Sequence, residues 1–174
     1  MSVVHLTERR PALTAAEMVA QLAPPPQFRD ASFENYRADD AYPSQAEAKQ
    51  VLTAFCGSGI AKVKGGLFSR KPKAPATKPG VYLDGGFGVG KTHLLAATFH
   101  AFPGRRKYFG SFIEYTALVG ALGYRGAVEQ FTGADLLCID EFELDDPGDT
   151  MVMTRLLGEL VATGTRMVAT SNTP

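Results

Sequence analysis

The run Gly85-Gly86-Phe87-Gly88-Val89-Gly90-Lys91-Thr92 puts four glycines, a lysine and a hydroxyl side by side. These residue types suit a polyphosphate. Glycines let backbone N–H groups converge on phosphate oxygens with no Cβ in the way. Lys91 would reach the β- and γ-phosphates, and the Thr92 hydroxyl would ligate Mg²⁺. The run meets every fixed position of G-x-x-x-x-G-K-[ST]. Gly80-Val81-Tyr82-Leu83 before it reads as a strand, and His93-Leu94-Leu95-Ala96-Ala97-Thr98 after it as a helix. Strand, glycine loop and helix are the context in which that pattern binds phosphate, because the helix start adds partial positive charge. His93 extends the candidate contact run to Gly85–His93 and is expected to pack on the first helical turn.

Asp140-Glu141 is the second place where chemistry can gather. The pair closes Leu136-Leu137-Cys138-Ile139, an apolar run that fits a strand buried on both faces of a parallel sheet. Ligands of open α/β sheets sit at the carboxyl ends of strands, so these carboxylates fall near the glycine loop. Asp140 would hold Mg²⁺ through water, and Glu141 would orient and deprotonate an attacking water. Taken alone the pair reads as a solvated strand end; its place downstream of a phosphate loop favours the chemical reading. Asp145-Asp146 reads mainly as helix capping. Asn172, in Ser171-Asn172 after the last expected strand, offers an uncharged amide to a γ-phosphate or a lytic water. The plainer reading of that dipeptide is a turn.

The positioning elements follow from pattern. Thr14-Ala15-Ala16-Glu17 is a capping box opening a short helix with Met18, Val19 and Leu22 on one side. Pro24-Pro25-Pro26 ends it. Ser44-Gln45-Ala46-Glu47 predicts a second capping box, on a helix lined by Ala48, Val51, Leu52 and Phe55 and stopped by Gly57. Past the glycine loop come its helix, a strand over Tyr108–Phe112, a helix over Tyr115–Leu122 and the strand Leu136–Ile139. A helix with Asp146 as N-cap and Pro147 at N1 follows, lined by Val152, Leu156, Leu157, Leu160 and Val161. Arg166–Thr170 is the final strand. This alternation predicts an α/β fold with a parallel sheet flanked by helices.

With 174 residues, 45% hydrophobic and 21% charged, the chain reads as one ordinary globular domain. Its formal net charge of zero gives no global attraction to nucleic acid or membrane. Cys56 and Cys138 each lie in apolar stretches and read as free buried thiols suited to a reducing compartment. Neither a secretory leader nor a bilayer-length apolar stretch is visible, so a cytoplasmic location is expected. Residues 58–79 carry Lys62, Lys64, Arg70, Lys71, Lys73 and Lys78 with no acidic residue. They read as a flexible basic insertion; nucleic acid is the less favoured partner for it. Arg105-Arg106-Lys107 reads as a solvated loop, and His5 and His100 have no partners at metal-ligand spacing.

The phosphate loop Gly85–Thr92, the strand Leu136–Glu141 and Asn172, in that order, resemble Walker A, Walker B and sensor 1 of the AAA+ P-loop ATPase module. Gly80-Val81-Tyr82-Leu83-Asp84-Gly85, Leu136 to Asp146 with its Asp140-Glu141-Phe142, Arg155-Leu156-Leu157 and Ala169-Thr170-Ser171-Asn172 are similar to the ZapE family. That family comprises bacterial ATPases tied to cell division and related mitochondrial ATPases. The resemblance implies ATP and Mg²⁺ as cofactors and Lys91, Glu141 and Asn172 as catalytic residues. It implies nucleotide contacts from Gly85, Gly86, Phe87, Gly88, Val89, Gly90, Lys91, Thr92 and His93, and metal ligation by Thr92 and Asp140. It also implies conformational work on a protein partner, at the division ring, with room for a homo-oligomer of the full-length protein. Phe33 and Tyr36 are candidates to flank the adenine or to pack in the core.

Tyr108 to Tyr115 departs from the family's usual segment, which puts any partner role of that segment in doubt. Neither Arg155 nor Arg166 stands where an arginine finger is expected. AAA+ proteins continue past sensor 1 into a fifth strand and a helical lid, so the expectation is the N-terminal portion of a longer protein, hydrolysing ATP weakly by itself. The expected division is 1–57 as a helical segment packing on the ATPase core, 58–79 as the insertion and 80–174 as the core through sensor 1. Two rival readings stand beside this one: a helicase-loader or initiator-like ATPase acting on DNA, and a nucleotide-gated scaffold that does not hydrolyse.

Overall fold

A computed structural model describes residues 13–58, 78–142 and 146–172. The basic segment expected over 58–79 lies outside the described residues except at its ends, as do His5 and Asp145. In chain order the elements are α1 (Ala15–Ala20), a 3₁₀ turn (Pro26–Phe28), α2 (Pro43–Gly57), β1 (Gly80–Asp84) and α3 (Lys91–Ala101). Then come β2 (Lys107–Ser111), α4 (Phe112–Phe131), β3 (Leu136–Asp140), α5 (Pro147–Ala162) and β4 (Arg166–Ser171).

The four strands form one parallel sheet in the order β1-β4-β3-β2. β4, last in sequence, therefore lies between β1 and β3, and the carboxyl ends of all three share one edge. β3 shows why the sheet must be central. Leu136 and Cys138 belong to a core with α2 and α3, containing Leu52, Phe55, Leu94 and Leu95. Leu137 and Ile139 belong to the opposite core, with Tyr115, Leu118, Met153, Leu156 and Leu160 of α4 and α5. Successive side chains of a strand point to opposite faces, so a strand covered on both sides must be apolar at consecutive positions.

Local chemistry starts the helices. The Thr14–Glu17 capping box forms as expected. Asp146 caps α5, its carboxylate accepting from Gly148 N–H at 2.7 Å and Asp149 N–H at 2.9 Å. A capping box that pattern reading overlooked joins β2 directly to α4: Ser111 Oγ accepts from Glu114 N–H, and Glu114 Oε2 accepts from Ser111 N–H. The strand accordingly ends at Ser111, and Phe112 is already helical.

Five expectations need correction. The expected Ser44–Glu47 box does not form. Pro43 occupies the first turn and Tyr42 is the N-cap without a side-chain bond, because proline's fixed φ starts the helix earlier. Gln45 instead accepts from Asp39 N–H through its amide oxygen. Val51 is exposed, and Leu52, Phe55 and Cys56 form the buried face of α2. In α5 Val152 is exposed, and Met153, Leu156 and Leu160 are buried. α4 runs on to Phe131, past a non-helical Gly123 at φ 70° and ψ 161°. Finally, Arg105 and Arg106 are an exposed loop as expected, but Lys107 is not: it is half-buried and opens β2. The Arg106 guanidinium donates to the carbonyls of Gln130 and Thr132, and Lys107 Nζ to those of Phe99 and Phe102. Cys56 and Cys138 are free and buried. No helix among the described residues is long and apolar enough to cross a membrane.

Candidate functional site

At the shared carboxyl edge the glycine loop runs from β1 into α3. Gly88 (φ +77°) and Gly90 (φ +85°) lie in the left-handed region, where residues with a Cβ are strained. At Gly90 space is also short: an added Cβ would fall 2.7 Å from Tyr36 Cε2. The Tyr36 hydroxyl donates to Val89 O at 2.9 Å, pinning the loop from outside. Burial raises this phenol above its ordinary value. Gly90 caps α3, and the first intrahelical bond runs from Leu94 N–H to Gly90 O. The N–H groups of Lys91, Thr92 and His93 thus have no intrahelical acceptor. Lys91 Nζ donates to the carbonyls of Gly85 and Gly86, both at 2.7 Å.

The β3 end meets this loop through a chain of hydroxyls. Asp140 Oδ2 accepts from Thr92 Oγ1 at 2.9 Å, and Asp140 Oδ1 accepts from Thr170 Oγ1 at 2.6 Å. Glu141, next in sequence, has φ +52° and is the only non-glycine with positive φ among the described residues. Such a backbone costs about 1–2 kcal/mol. Two bonds to Thr170 hold it: Glu141 N–H donates to Thr170 Oγ1 at 3.0 Å, and Phe142 N–H to Thr170 O at 2.6 Å. The Phe142 ring packs edge-on against Phe112 at 5.0 Å.

Two cavities flank Lys91. One, of about 270 Å³, gathers Lys91, Thr92, Asp140, Glu141, Thr170 and Asn172 with Phe28, Phe87 and His93. The other, of about 420 Å³, is walled by Tyr36, Tyr42, Ala48, Leu83, Val89 and Leu94 and floored by Asp84, Gly85, Gly86 and Lys91. A polar cavity and a mostly apolar one that share Lys91 in their linings suit a ligand with a charged tail and a flat apolar head.

The sequence candidates Lys91, Thr92, Asp140, Glu141 and Asn172 therefore meet in one cavity. His93 also lines it. Its ring is held by the N-terminal segment, with Nε2 3.1 Å from Ser32 O and ring contacts to Phe28 and Tyr36. Phe87 is 83% exposed at the loop tip. Phe33 and Tyr36 are both buried in the same core, and Tyr36 also lines the larger cavity. Asp146 is a helix cap. Pattern reading passed over two residues, the Thr170 hydroxyl and the Tyr36 hydroxyl bond. No spacing rule marks either; each acts across the fold.

The donor set can be tested against Mg²⁺. Thr92 Oγ1 and Asp140 Oδ2 are hard oxygen donors hydrogen-bonded at 2.9 Å, an arrangement in which Thr92 can ligate Mg²⁺ and Asp140 hold it through water. No cluster of three or more His, Cys, Asp or Glu side chains able to hold a metal occurs among the described residues.

Known proteins resemble this chain in sequence and in fold. The chain is 35% identical over 128 residues to the cell division protein ZapE of Escherichia coli K12, an alignment covering 67% of this chain and 34% of that protein. The chain thus spans about a third of the length of that relative. Among solved structures, AMPPCP-bound DnaA from Aquifex aeolicus superposes with a TM-score of 0.62 at 18% identity, over 84% of this chain and 42% of that one. A putative primosome component from Streptococcus pyogenes serotype M3 gives 0.61 at 19% identity, over 94% and 81%. At these identities the likeness speaks for the fold, an α/β P-loop sheet. The model of AFG1-like ATPases matches residues 13–174, and with the glycine loop, the Asp140-Glu141 strand end and Asn172 around one cavity, the chain belongs to the AFG1-like ATPase family.

Proposed function

We propose that this chain binds ATP with Mg²⁺ and hydrolyses it, as the nucleotide-handling core of an AAA+ ATPase that performs conformational work on a protein partner. The observation carrying this reading is the hydrogen-bonded link from Thr92 through Asp140 to Thr170, which joins the glycine loop to the ends of β3 and β4 around Lys91. The triphosphate would lie over the N–H groups that open α3, where the helix dipole favours an anion. Lys91 would exchange the carbonyls of Gly85 and Gly86 for phosphate oxygens. Thr92 and Asp140 would hold Mg²⁺, which supplies neutralisation of charge on the phosphates. Glu141 would take the proton of the attacking water, and Asn172 would hydrogen-bond the γ-phosphate or that water. The base would enter the larger cavity beside Tyr36 and Tyr42, with Leu83 and Leu94 against it.

Residues 13–57 belong to the same unit on this reading, since Phe33, Tyr36, Leu52 and Phe55 share a core with Leu94–Ala97 of α3. The relation to a cell division protein supports a partner at the division ring and a cytoplasmic setting. The test is calorimetric binding of MgATP followed by steady-state turnover. Saturable uptake, with turnover that Glu141→Gln lowers about 100-fold or more while uptake persists, supports hydrolysis. Uptake with no turnover, and no effect of Glu141→Gln, would leave a nucleotide-gated scaffold. Co-sedimentation with division-ring filaments supports the proposed partner, whereas salt-dependent capture of single-stranded DNA would move the reading to a loader.

A further inference from the structure

Thr170 is 1% exposed, on the strand between β1 and β3. In a buried strand of a parallel sheet a hydroxyl is an unusual choice, since it must be fully bonded to be tolerated. Here it is. The β3–β4 register pairs Ile139 with Ala169, and so sets Thr170 beside Asp140. Its hydroxyl donates to Asp140 Oδ1 at 2.6 Å and accepts from Glu141 N–H at 3.0 Å, and its carbonyl accepts from Phe142 N–H at 2.6 Å. One residue therefore fixes two carboxylate-bearing positions. Tying Oδ1 orients the Asp140 carboxylate so that Oδ2 meets Thr92. Tying two consecutive N–H groups holds Glu141 in its left-handed backbone, from which its side chain lines the cavity with Lys91 and Asn172. Asn172 lies two residues beyond Thr170, just past the same strand end, so the candidate metal ligand and the candidate base are tied by one hydroxyl next to the candidate amide.

We propose that Thr170 is a positioning residue whose hydroxyl clamps Asp140 and Glu141 in their working orientations, setting the rate of hydrolysis far more than nucleotide affinity. The proposal rests on the ATPase reading for its kinetic half and on geometry alone for the clamp. Thr170→Val keeps the shape and removes the hydroxyl; Thr170→Ser keeps the hydroxyl and removes the methyl. Amide hydrogen exchange of nucleotide-free protein reads the clamp, and kcat against MgATP affinity reads its use.

In Thr170→Val the Glu141 amide should exchange about tenfold faster or more, turnover should fall about 10- to 100-fold, and MgATP affinity should stay within about threefold. Thr170→Ser should restore both protection and turnover to within about threefold of the parent. Unchanged Glu141 protection and turnover in Thr170→Val would overturn the proposal. So would equal damage in both variants, or a loss confined to affinity. If Thr170→Val melts below the assay temperature, Thr170→Ser against Thr170→Ala carries the same comparison. If the parent chain takes up no ATP, the ATPase reading falls, and Glu141 exchange still decides the clamp: protection lost only with the hydroxyl upholds it, and an unprotected parent amide refutes it.

Discussion

Helix α3 meets a lysine at each end, and the two behave in opposite ways. Lys107, at the start of β2, donates to the carbonyls of Phe99 and Phe102 in the last turn and cap of α3, and lies 5.0 Å over the Phe99 ring. Burial holds its ammonium below the ordinary lysine value. A cation there meets the negative end of the helix dipole, and its bonds use carbonyls that the helix leaves open. Lys91, at the other end, donates to two loop carbonyls and faces two cavities, beside the positive end of the same dipole. A cation at a helix N-terminus is a local conflict. It makes sense when an anion arrives to be shared between the lysine and the helix N–H groups. The lesson is that the same side chain, bonded in the same way to two carbonyls, is structural where the helix field suits it and functional where the field opposes it.

Breaking this comparison begins with Lys91→Ala. MgATP affinity should fall about 100-fold, the worth of a charge-assisted contact to phosphate, while the melting temperature moves by no more than about 2 °C because relief at the helix start offsets the lost bonds. Calorimetric titration and differential scanning calorimetry check the two halves. A large loss of stability with affinity retained would make Lys91 a second Lys107.

Lys107→Ala should show the mirror image. Loss of the α3 cap should cost about 1–2 kcal/mol of stability, several degrees in a domain of this size, with MgATP affinity within about twofold. Chemical denaturation of parent and variant reads it. An unmoved midpoint would mean that the buried ammonium gains nothing from its carbonyls.

The smallest effect concerns the core beneath α3. Burial pushes the Cys56 thiol from 9.0 up to about 11. The folded chain then holds this proton more tightly than the unfolded chain. The stability it represents is complete below pH 9 and is lost as pH rises through about 11. Cys56→Ala should flatten the fall in melting temperature across that window without abolishing it, because burial raises the Cys138 thiol in the same direction. A parent profile that is flat from pH 9 to 11, or one that the variant leaves unchanged, would contradict this.

Much of the molecule could be read from short-range pattern. The glycine loop with its flanking strand and helix, the two-faced β3, the Thr14 and Asp146 caps and the parallel α/β fold all depend on residues within a few positions of one another. Cys138 is apolar on one face and Leu137 on the other because a central strand has no polar side. The misses share a cause as well. Pro43 displaced a plausible cap through its own φ, and Gly123 broke α4 without ending it. The buried faces of α2 and α5 were set by what lies opposite them, since periodicity gives a stripe but not its rotation. Lys107 looked like solvated charge, and the exposed Arg106 like an unbonded one, because nothing nearby in sequence announces the carbonyls at the ends of α3 and α4.

By itself, then, the sequence determined that a phosphate loop, a carboxylate-ended strand and a terminal amide would exist, since each is written in consecutive residues. Only the tertiary structure decided that they meet. Setting β4 between β1 and β3 brings Thr170 within 2.6 Å of Asp140, thirty positions away, and packing of the N-terminal segment on the α2–α3 core brings Tyr36 within 2.9 Å of Val89, fifty-three positions away. Those contacts come from strand order and core packing, which arise from burying both faces of one sheet at once and not from any local stretch of the chain.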